Sequence, residues 1–583
     1  MVLCAHLPAA ADDCGGDTAV LVSPRAPTAG APIRILAASD AGTIDDLMLT
    51  DDAGAVVPAG VTRLGGPPWS ASLALADPRS ETYRITATRN GAEVGCASFT
   101  VTRAGSDARP SRAAKPVAWD RANEALYSAW IEHLFDAPPD AQLSFDSLQE
   151  VLADPERNLL HDHLGLGEDD ARGALGAPPD CADMPYVLRT YFAWKLGLPA
   201  AYRHCTRGSA TQPPTCGPPT IVTPSGDLRS WFAGAAPRVM DAVHSGNART
   251  ALDDDATDFY PVPLTRAALR PGTIYADPYG HTLTIVHWVP QTTERSGMLL
   301  AVDAQPDNSV ARKRFWEGTF LFADDVASAG PGFKAFRPLV ARAGAAPTPA
   351  SNAALRSASD DVAPAPYSDE QSALDADDFY ARVGRLIDPD GLAPVAAYDE
   401  MLDALVEQLT TRVDSVQRGE DFVRSHPPQT IPMPEGAAIF ETIGPWEDYA
   451  TPSRDLRVLI AMKVLLDLPD HLDRHPELYL LDGRPASEAR MLVEQRHADA
   501  IERRGITYVR SDGSEWRLTV ADLLARREAL EMAYDPNDCI EVRWGAEPGS
   551  EEYATCHRHA PAEQRARMES YRAWFHEGRR PSR

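Results

Sequence analysis

Residues 178–189 read Pro178-Pro179-Asp180-Cys181-Ala182-Asp183-Met184-Pro185-Tyr186-Val187-Leu188-Arg189. The two leading prolines stop any preceding helix, and Asp180 or Asp183 can cap the next one. A helix is expected over residues 184–196, with Val187, Leu188, Tyr191, Phe192 and Leu196 on its apolar face. Pro185 is tolerated only inside the first turn, so the helix starts close to Cys181. A thiol placed there feels the positive end of the helix dipole, which favours thiolate and predicts a lowered pKa. An isolated cysteine at a helix start is more commonly a small buried structural thiol. Two later segments change that balance.

The first runs Leu269-Arg270-Pro271-Gly272-Thr273 and continues to Gly280-His281-Thr282-Leu283-Thr284-Ile285-Val286. A turn delivers His281 to the start of a strand. Period two then places His281, Leu283, Ile285 and His287 on one face, and the apolar members turn that face inward. The second is Met298-Leu299-Leu300-Ala301-Val302-Asp303, an apolar strand ending on an acid. A hairpin centred on Thr292 and Thr293 sets Asp303 opposite residue 282, give or take one pair. Asp303 can then accept from one nitrogen of His281 and hold the other toward Cys181, the arrangement of a base-activated nucleophile.

This order, a cysteine at a helix start, a histidine opening a strand and a polar residue on the next strand, resembles the papain-like fold plan. Asp180-Cys181-Ala182 is similar to the Asp-Cys-Ser start of NlpC/P60 cysteine peptidases, and Leu269-Arg270-Pro271-Gly272-Thr273 with Gly280-His281 is similar to their L-x-P-G-D and G-H passage. The resemblance spans roughly residues 120–340. It implies an α+β papain-like domain with Cys181 as nucleophile, His281 as base and Asp303 as orienting residue. Asp183 stands where the family has Gly, and Thr273 where it has Asp. The family's third residue is commonly a histidine soon after the base. The longer interval from His281 to Asp303 looks more like the transglutaminase-like branch of the same superfamily.

Residues 12–103 alternate short apolar runs with Gly, Pro and Asp turns. Six or seven strands in that length predict an antiparallel sandwich of immunoglobulin-like type. Residues 104–117 form a polar, Pro-containing linker, and 118–340 make up the papain-like domain. Residues 341–367 are rich in Ala, Pro and Ser and are expected to be a flexible linker. Long helical periods over 375–421 and 454–535 make the C-terminal region, 368–583, mainly α-helical. The chain is therefore expected to be multidomain.

The 583 residues include 56 basic and 84 acidic side chains, a net charge of -28. Such a surface repels phosphate backbones and anionic lipids, so nucleic acid is not an expected partner. No apolar run approaches the ~20 residues needed to cross a bilayer; residues 456–468 are broken by Arg457 and Lys463. The eight cysteines fall by position into Cys14 with Cys96, Cys205 with Cys216, and Cys539 with Cys556, leaving Cys4 and Cys181. Residues 1–11, apolar and ending in small residues, read as the remnant of a secretion signal that carries Cys4 away. Three bridges and one thiol fit a secreted or periplasmic protein.

His161-Asp162-His163 and Cys556-His557-Arg558-His559 contain metal-ligating types. Neither has a second cluster at zinc spacing, so no metal or other cofactor is expected. Trp446-Glu447-Asp448-Tyr449 and residues 534–539 combine aromatics with acids and are read as helix boundaries. The functional expectation is a thiol hydrolase acting on amide bonds of peptides or peptidoglycan-type substrates. The alternatives are transglutaminase-like acyl transfer to an amine, and a surface binding protein on a papain-like fold without turnover.

Overall fold

A computed structural model describes residues 16–103, 119–169, 175 and 178–581, with short breaks at 210–211, 306–307, 324–330, 343–344, 358–362, 427–429, 441 and 443. The expected signal remnant, Cys14 and the linker at 104–117 lie outside the described residues. The chain divides into two compact units. One comprises Met1–Pro290, Gly297–Lys313 and Ala323–Ala376, the other Gln291–Ser296, Arg314–Phe322 and Asp377–Arg583.

The first unit opens with seven short strands: β1 (Thr18–Ser23), β2 (Ile33–Ser39), β3 (Asp46–Thr50), β4 (Val61–Leu64), β5 (Trp69–Leu75), β6 (Thr82–Arg89) and β7 (Ala92–Thr100). They pair as a four-stranded sheet, β1-β2-β5-β4, and a three-stranded sheet, β3-β6-β7. Ile33, Ile35, Ala71 and Leu73 from one sheet meet Leu47, Leu49, Tyr83 and Ile85 from the other in a common core. Alternation along each strand produces this, since every second side chain points inward.

The same four-stranded sheet also has neighbours on its other face. Leu36 and Ala38 of β2 belong to the cluster built on helix α1 (Arg121–Leu134), and Arg270 pairs with Asp40 at 2.7 Å. Through these contacts the sandwich packs against α1 within the first unit.

Helix α1 is capped by Asp120, whose carboxylate accepts the Asn123 N–H at 2.8 Å. After β8 (Ser144–Phe145) and α2 (Leu148–Ala153) comes α3 (Asp183–Leu196). Val187, Leu188, Tyr191 and Phe192 lie in the main core, as the apolar pattern predicts, with Trp130 stacked on Tyr191 at 5.6 Å. The helix is buried on more than its apolar face. Tyr186 meets Phe259 and Phe336 edge-on, Arg189 pairs with Glu124, and Lys195 pairs with Glu168 and Asp169. Buried charges of this kind are tolerated because each is paired.

Next come β9 (Ala200–Tyr202), β10 (Thr220–Val222) and α4 (Trp231–Met240). The chain then builds β11 (Phe259–Pro261), β12 (Ile274–Ala276), β13 (Thr282–Val289), β14 (Met298–Ala304), β15 (Val310–Arg314) and β16 (Gly332–Phe336). Together with β8 these form a seven-stranded sheet in the order β11-β16-β12-β13-β14-β15-β8. The central strands β13 and β14 present Val286, Leu300 and Val302 to α1 and α3.

The expected flexible linker at 341–367 is largely folded. Strands β17 (Leu339–Arg342) and β18 (Ala345–Pro349) form a hairpin, followed by helix α5 (Asn352–Ser357). Arg337 donates to the carbonyl of Ala350 and to Asn352 Oδ1, and Tyr260 donates to the Ala365 carbonyl at 2.8 Å. Low bulk in the sequence conceals these backbone acceptors, which anchor the segment without large apolar side chains.

The second unit is mainly helical, as its periodicity predicts. Helices α6 (Ala376–Ile387), α7 (Pro394–Ser425), α8 (Pro445–Tyr449), α9 (Pro452–Arg474) and α10 (Ala486–Ile501) precede an unexpected hairpin of β19 (Gly505–Val509) and β20 (Glu515–Thr519). Leu405, Leu409, Leu465, Leu468, Val493 and Trp544 contribute to one core. Arg412 pairs with Asp455 inside it at 2.8 Å.

Cysteines 205 and 216 are bridged, with Cα atoms 3.9 Å apart, and so are Cys539 and Cys556, at 5.6 Å. Cys96 is also disulfide-bonded, and its expected partner Cys14 is outside the described residues. Two described disulfides are compatible with an oxidising compartment. Among the described residues, no helix is long and apolar enough to cross a membrane.

Candidate active site

Cys181 lies two residues before α3, and among the described residues it is the free cysteine. The sequence left Asp180 and Asp183 as rival caps, and both take part. Asp180 Oδ1 accepts the N–H groups of Ala182 and Asp183 at 2.8 and 2.9 Å, while Asp183 Oδ2 accepts the N–H of Asp180 at 3.2 Å. This reciprocal pair fixes the turn that carries the thiol.

His281 is set by the loop that precedes β13. Asp277 Oδ1 accepts the N–H groups of Tyr279 and His281, each at 2.8 Å, and the Asp277 N–H returns to the His281 carbonyl. Gly280 makes the closure possible, since its φ of 104° is disfavoured for residues with a Cβ. The ring is partly buried, and its Nε2 lies 2.8 Å from Asp303 Oδ2. Asp303 itself is 3% exposed, so the imidazole is held by a carboxylate with little competing water.

The strand register accounts for that contact. Thr284 faces Val302 and Ile285 faces Ala301, so continuing the ladder puts Asp303 opposite Leu283, one pair from the expected position. His281 and Asp303 are then diagonal neighbours on one face. The expected alternation does not extend to His287. The register shifts between Ile285 and His287, and a bulge of this kind redirects the following side chain. His287 Nδ1 bonds Glu132 of α1 at 2.6 Å and is engaged there.

Cys181 is brought to the same place. The N–H of Thr282, next in sequence to His281, donates to its sulfur, and the charges of Asp303 and Asp277 reach the thiol. With Nε2 at Asp303, Nδ1 is the other nitrogen of the His281 ring.

The electrostatics differ from the sequence expectation. Burial pushes the Cys181 thiol well above its ordinary pKa, the Asp180 carboxylate adds to this, and Asp303 and Asp277 contribute; the Thr282 N–H acts in the opposite sense. Desolvation and the nearby acids thus act against the thiolate stabilisation expected from the start of α3. The Asp183 carboxyl is pushed up to about 8, first by burial and then by Asp180. It is largely protonated at neutral pH.

Arg249 had no sequence signal. It sits in a loop-rich stretch, yet it is 7% exposed and lies close enough to Cys181 and Asp277 to interact with their charges. Its contacts with the Ser245 and Pro278 carbonyls are long, 3.4 and 3.5 Å, and its buried Nη2 has no hydrogen-bond partner among the described residues. A buried guanidinium N–H without a partner is a donor still open to an acceptor oxygen.

Comparison with known protein families, with curated proteins and with solved structures finds no match to this chain.

Proposed function

We propose that the first unit is a thiol hydrolase for amide bonds, with Cys181 as nucleophile, His281 as base and Asp303 as the residue that orients the ring. The observation that carries this reading is the hydrogen bond from His281 Nε2 to buried Asp303, formed next to the residue whose N–H meets the Cys181 sulfur. It leaves Nδ1 free to accept the thiol proton as sulfur attacks a carbonyl carbon. The tetrahedral oxyanion is held by the Cys181 N–H, with Arg249 Nη2 as a second donor. Collapse expels the amine, which takes the proton from Nδ1 and leaves a thioester. Water activated by His281 then releases the acid and restores the thiol.

The resemblance to NlpC/P60 peptidases favours peptide or peptidoglycan-type substrates, and the disulfides favour a secreted or periplasmic setting. The antiparallel sheet covered by α1 and α3 is consistent with a papain-like reading. The sheet orders β1-β2-β5-β4 and β3-β6-β7 support reading the N-terminal strands as an immunoglobulin-like sandwich of constant type. Incubation with peptides and cell-wall peptide fragments, with and without an added primary amine, tests the reading. Hydrolysis products that depend on Cys181 are expected in both. Amide products formed only with the amine would instead make the chain a transglutaminase-like acyl transferase. The raised thiol pKa favours one further reading, a binding protein without turnover, for which neither product forms.

A further inference from the structure

In the second unit, His471 and His475 stand four residues apart near the end of α9, so both rings lie on one face of the helix. Their centroids are 4.8 Å apart. Both present Nε2 to the carboxylate of Asp377 at the start of α6. His475 Nε2 is 2.7 Å from Oδ2, and His471 Nε2 is 4.0 Å from Oδ1. The ligand atoms of all three residues lie within 4.8 Å of one another.

The far nitrogens are also engaged. His471 Nδ1 is 2.7 Å from the Tyr479 hydroxyl, and His475 Nδ1 is 3.4 Å from Glu477 Oε1. Holding Nδ1 fixes the tautomer and aims Nε2, which is how proteins orient metal-ligating imidazoles. Glu317 interacts with the charges of both Asp377 and Tyr479, and has no hydrogen bond or ion pair among the described residues. The C-terminal end of α9 favours a cation as well.

We infer that Asp377, His471 and His475 form a site for a divalent transition-metal ion of the zinc class, bound through one carboxylate oxygen and two Nε2 atoms. Nitrogen and oxygen donors in this ratio suit zinc and its neighbours rather than magnesium or calcium. The three residues are 14 to 40% exposed by side chain, so the ion keeps a solvent-facing position. Arg474 competes for the site. Its Nε and Nη2 each lie 3.2 Å from Asp377 oxygens, and the ion displaces this half-exposed guanidinium.

The test uses the full chain carrying Cys4→Ser and Cys181→Ser, which removes the two cysteines left outside the expected bridges as rival ligands. After chelation and dialysis, titration calorimetry with zinc chloride is expected to show saturable one-to-one binding. Cobalt(II) is expected to give visible absorption with no thiolate charge-transfer band. His471→Ala, His475→Ala and Asp377→Asn should each weaken zinc by more than ~100-fold, and Tyr479→Phe by ~10-fold. Arg474→Gln should bind zinc more tightly than the parent. Absence of saturable binding in the parent, or binding unchanged in both histidine variants, overturns the site. Weaker binding in Arg474→Gln also overturns it, because the cluster is then an ion-pair network that needs its arginine.

Discussion

His281 and Asp303 meet through Nε2 and Oδ2 at 2.8 Å, the ring partly open to solvent and the carboxylate almost fully enclosed. One ring nitrogen is thereby occupied, and the chemistry left to the other follows. Asp303→Asn should slow acylation of Cys181 by ~10²–10⁴-fold, because the amide disturbs the tautomer while leaving the ring in place. The reading is acylation rate at constant thiol content. An unchanged rate would remove Asp303 from the site.

The acids around Cys181 predict an effect of opposite sign on simple alkylation. Wild-type labelling by iodoacetamide should rise only on the alkaline side of the ordinary thiol value of ~8.5, because burial and Asp180 hold the proton on sulfur. Asp180→Asn keeps a side-chain oxygen for capping but removes the charge, so labelling at about pH 8 should become several-fold faster. A wild-type rate that already levels off near about pH 6 would show a stabilised thiolate and contradict this electrostatic account.

Arg249 is expected to act on acyl chemistry more than on the thiol. Arg249→Gln should slow acylation by ~10²-fold, the usual loss of one oxyanion donor. Alkylation, which develops no carbonyl oxyanion, should change far less. Equal losses in both reactions would mean that Arg249 merely supports the fold around Cys181.

Asp183 carries a pH prediction. Its folded-state pKa of about 8 lies above the ordinary carboxyl value of 3.8, so the folded protein binds the extra proton between those limits. Stability must fall as pH rises through that window. Asp183→Asn removes the penalty and can still accept the Asp180 N–H. Its Tm should match wild type near about pH 4 and exceed it near about pH 9. A variant less stable at the higher pH would reverse the assignment.

Much of the first unit was legible because its signals are local. Pro178, Pro179 and Pro185 bracket the start of α3 to within a residue or two, and the alternation predicts six or seven short strands where the structure has seven. The hairpin of β13 and β14 put Asp303 within one pair of its place, since register follows from where the strands begin and end. The bulge after Ile285 carries no local signature, so His287 was assigned to the wrong direction. Thiol electrostatics could not be read from a helix start alone. Burial acts first on Cys181 and the neighbouring Asp180 second, and Asp303 and Asp277 add to them from segments far along the chain, all against the dipole. His471, His475 and Asp377 were missed because the carboxylate lies almost a hundred residues before its partners.

Whether Cys181, His281 and Asp303 act as one nucleophilic unit can be measured with a small acyl donor that needs no specificity pocket. Non-reduced protein is treated with p-nitrophenyl acetate at neutral pH, nitrophenolate release is followed, and the acetyl group is located by peptide mass spectrometry. A burst equal to the enzyme concentration, acetylation of Cys181, and a burst rate at least ~100-fold lower in His281→Ala are expected. Acetylation elsewhere, or of Cys181 at a rate His281→Ala does not change, would contradict a single nucleophilic unit.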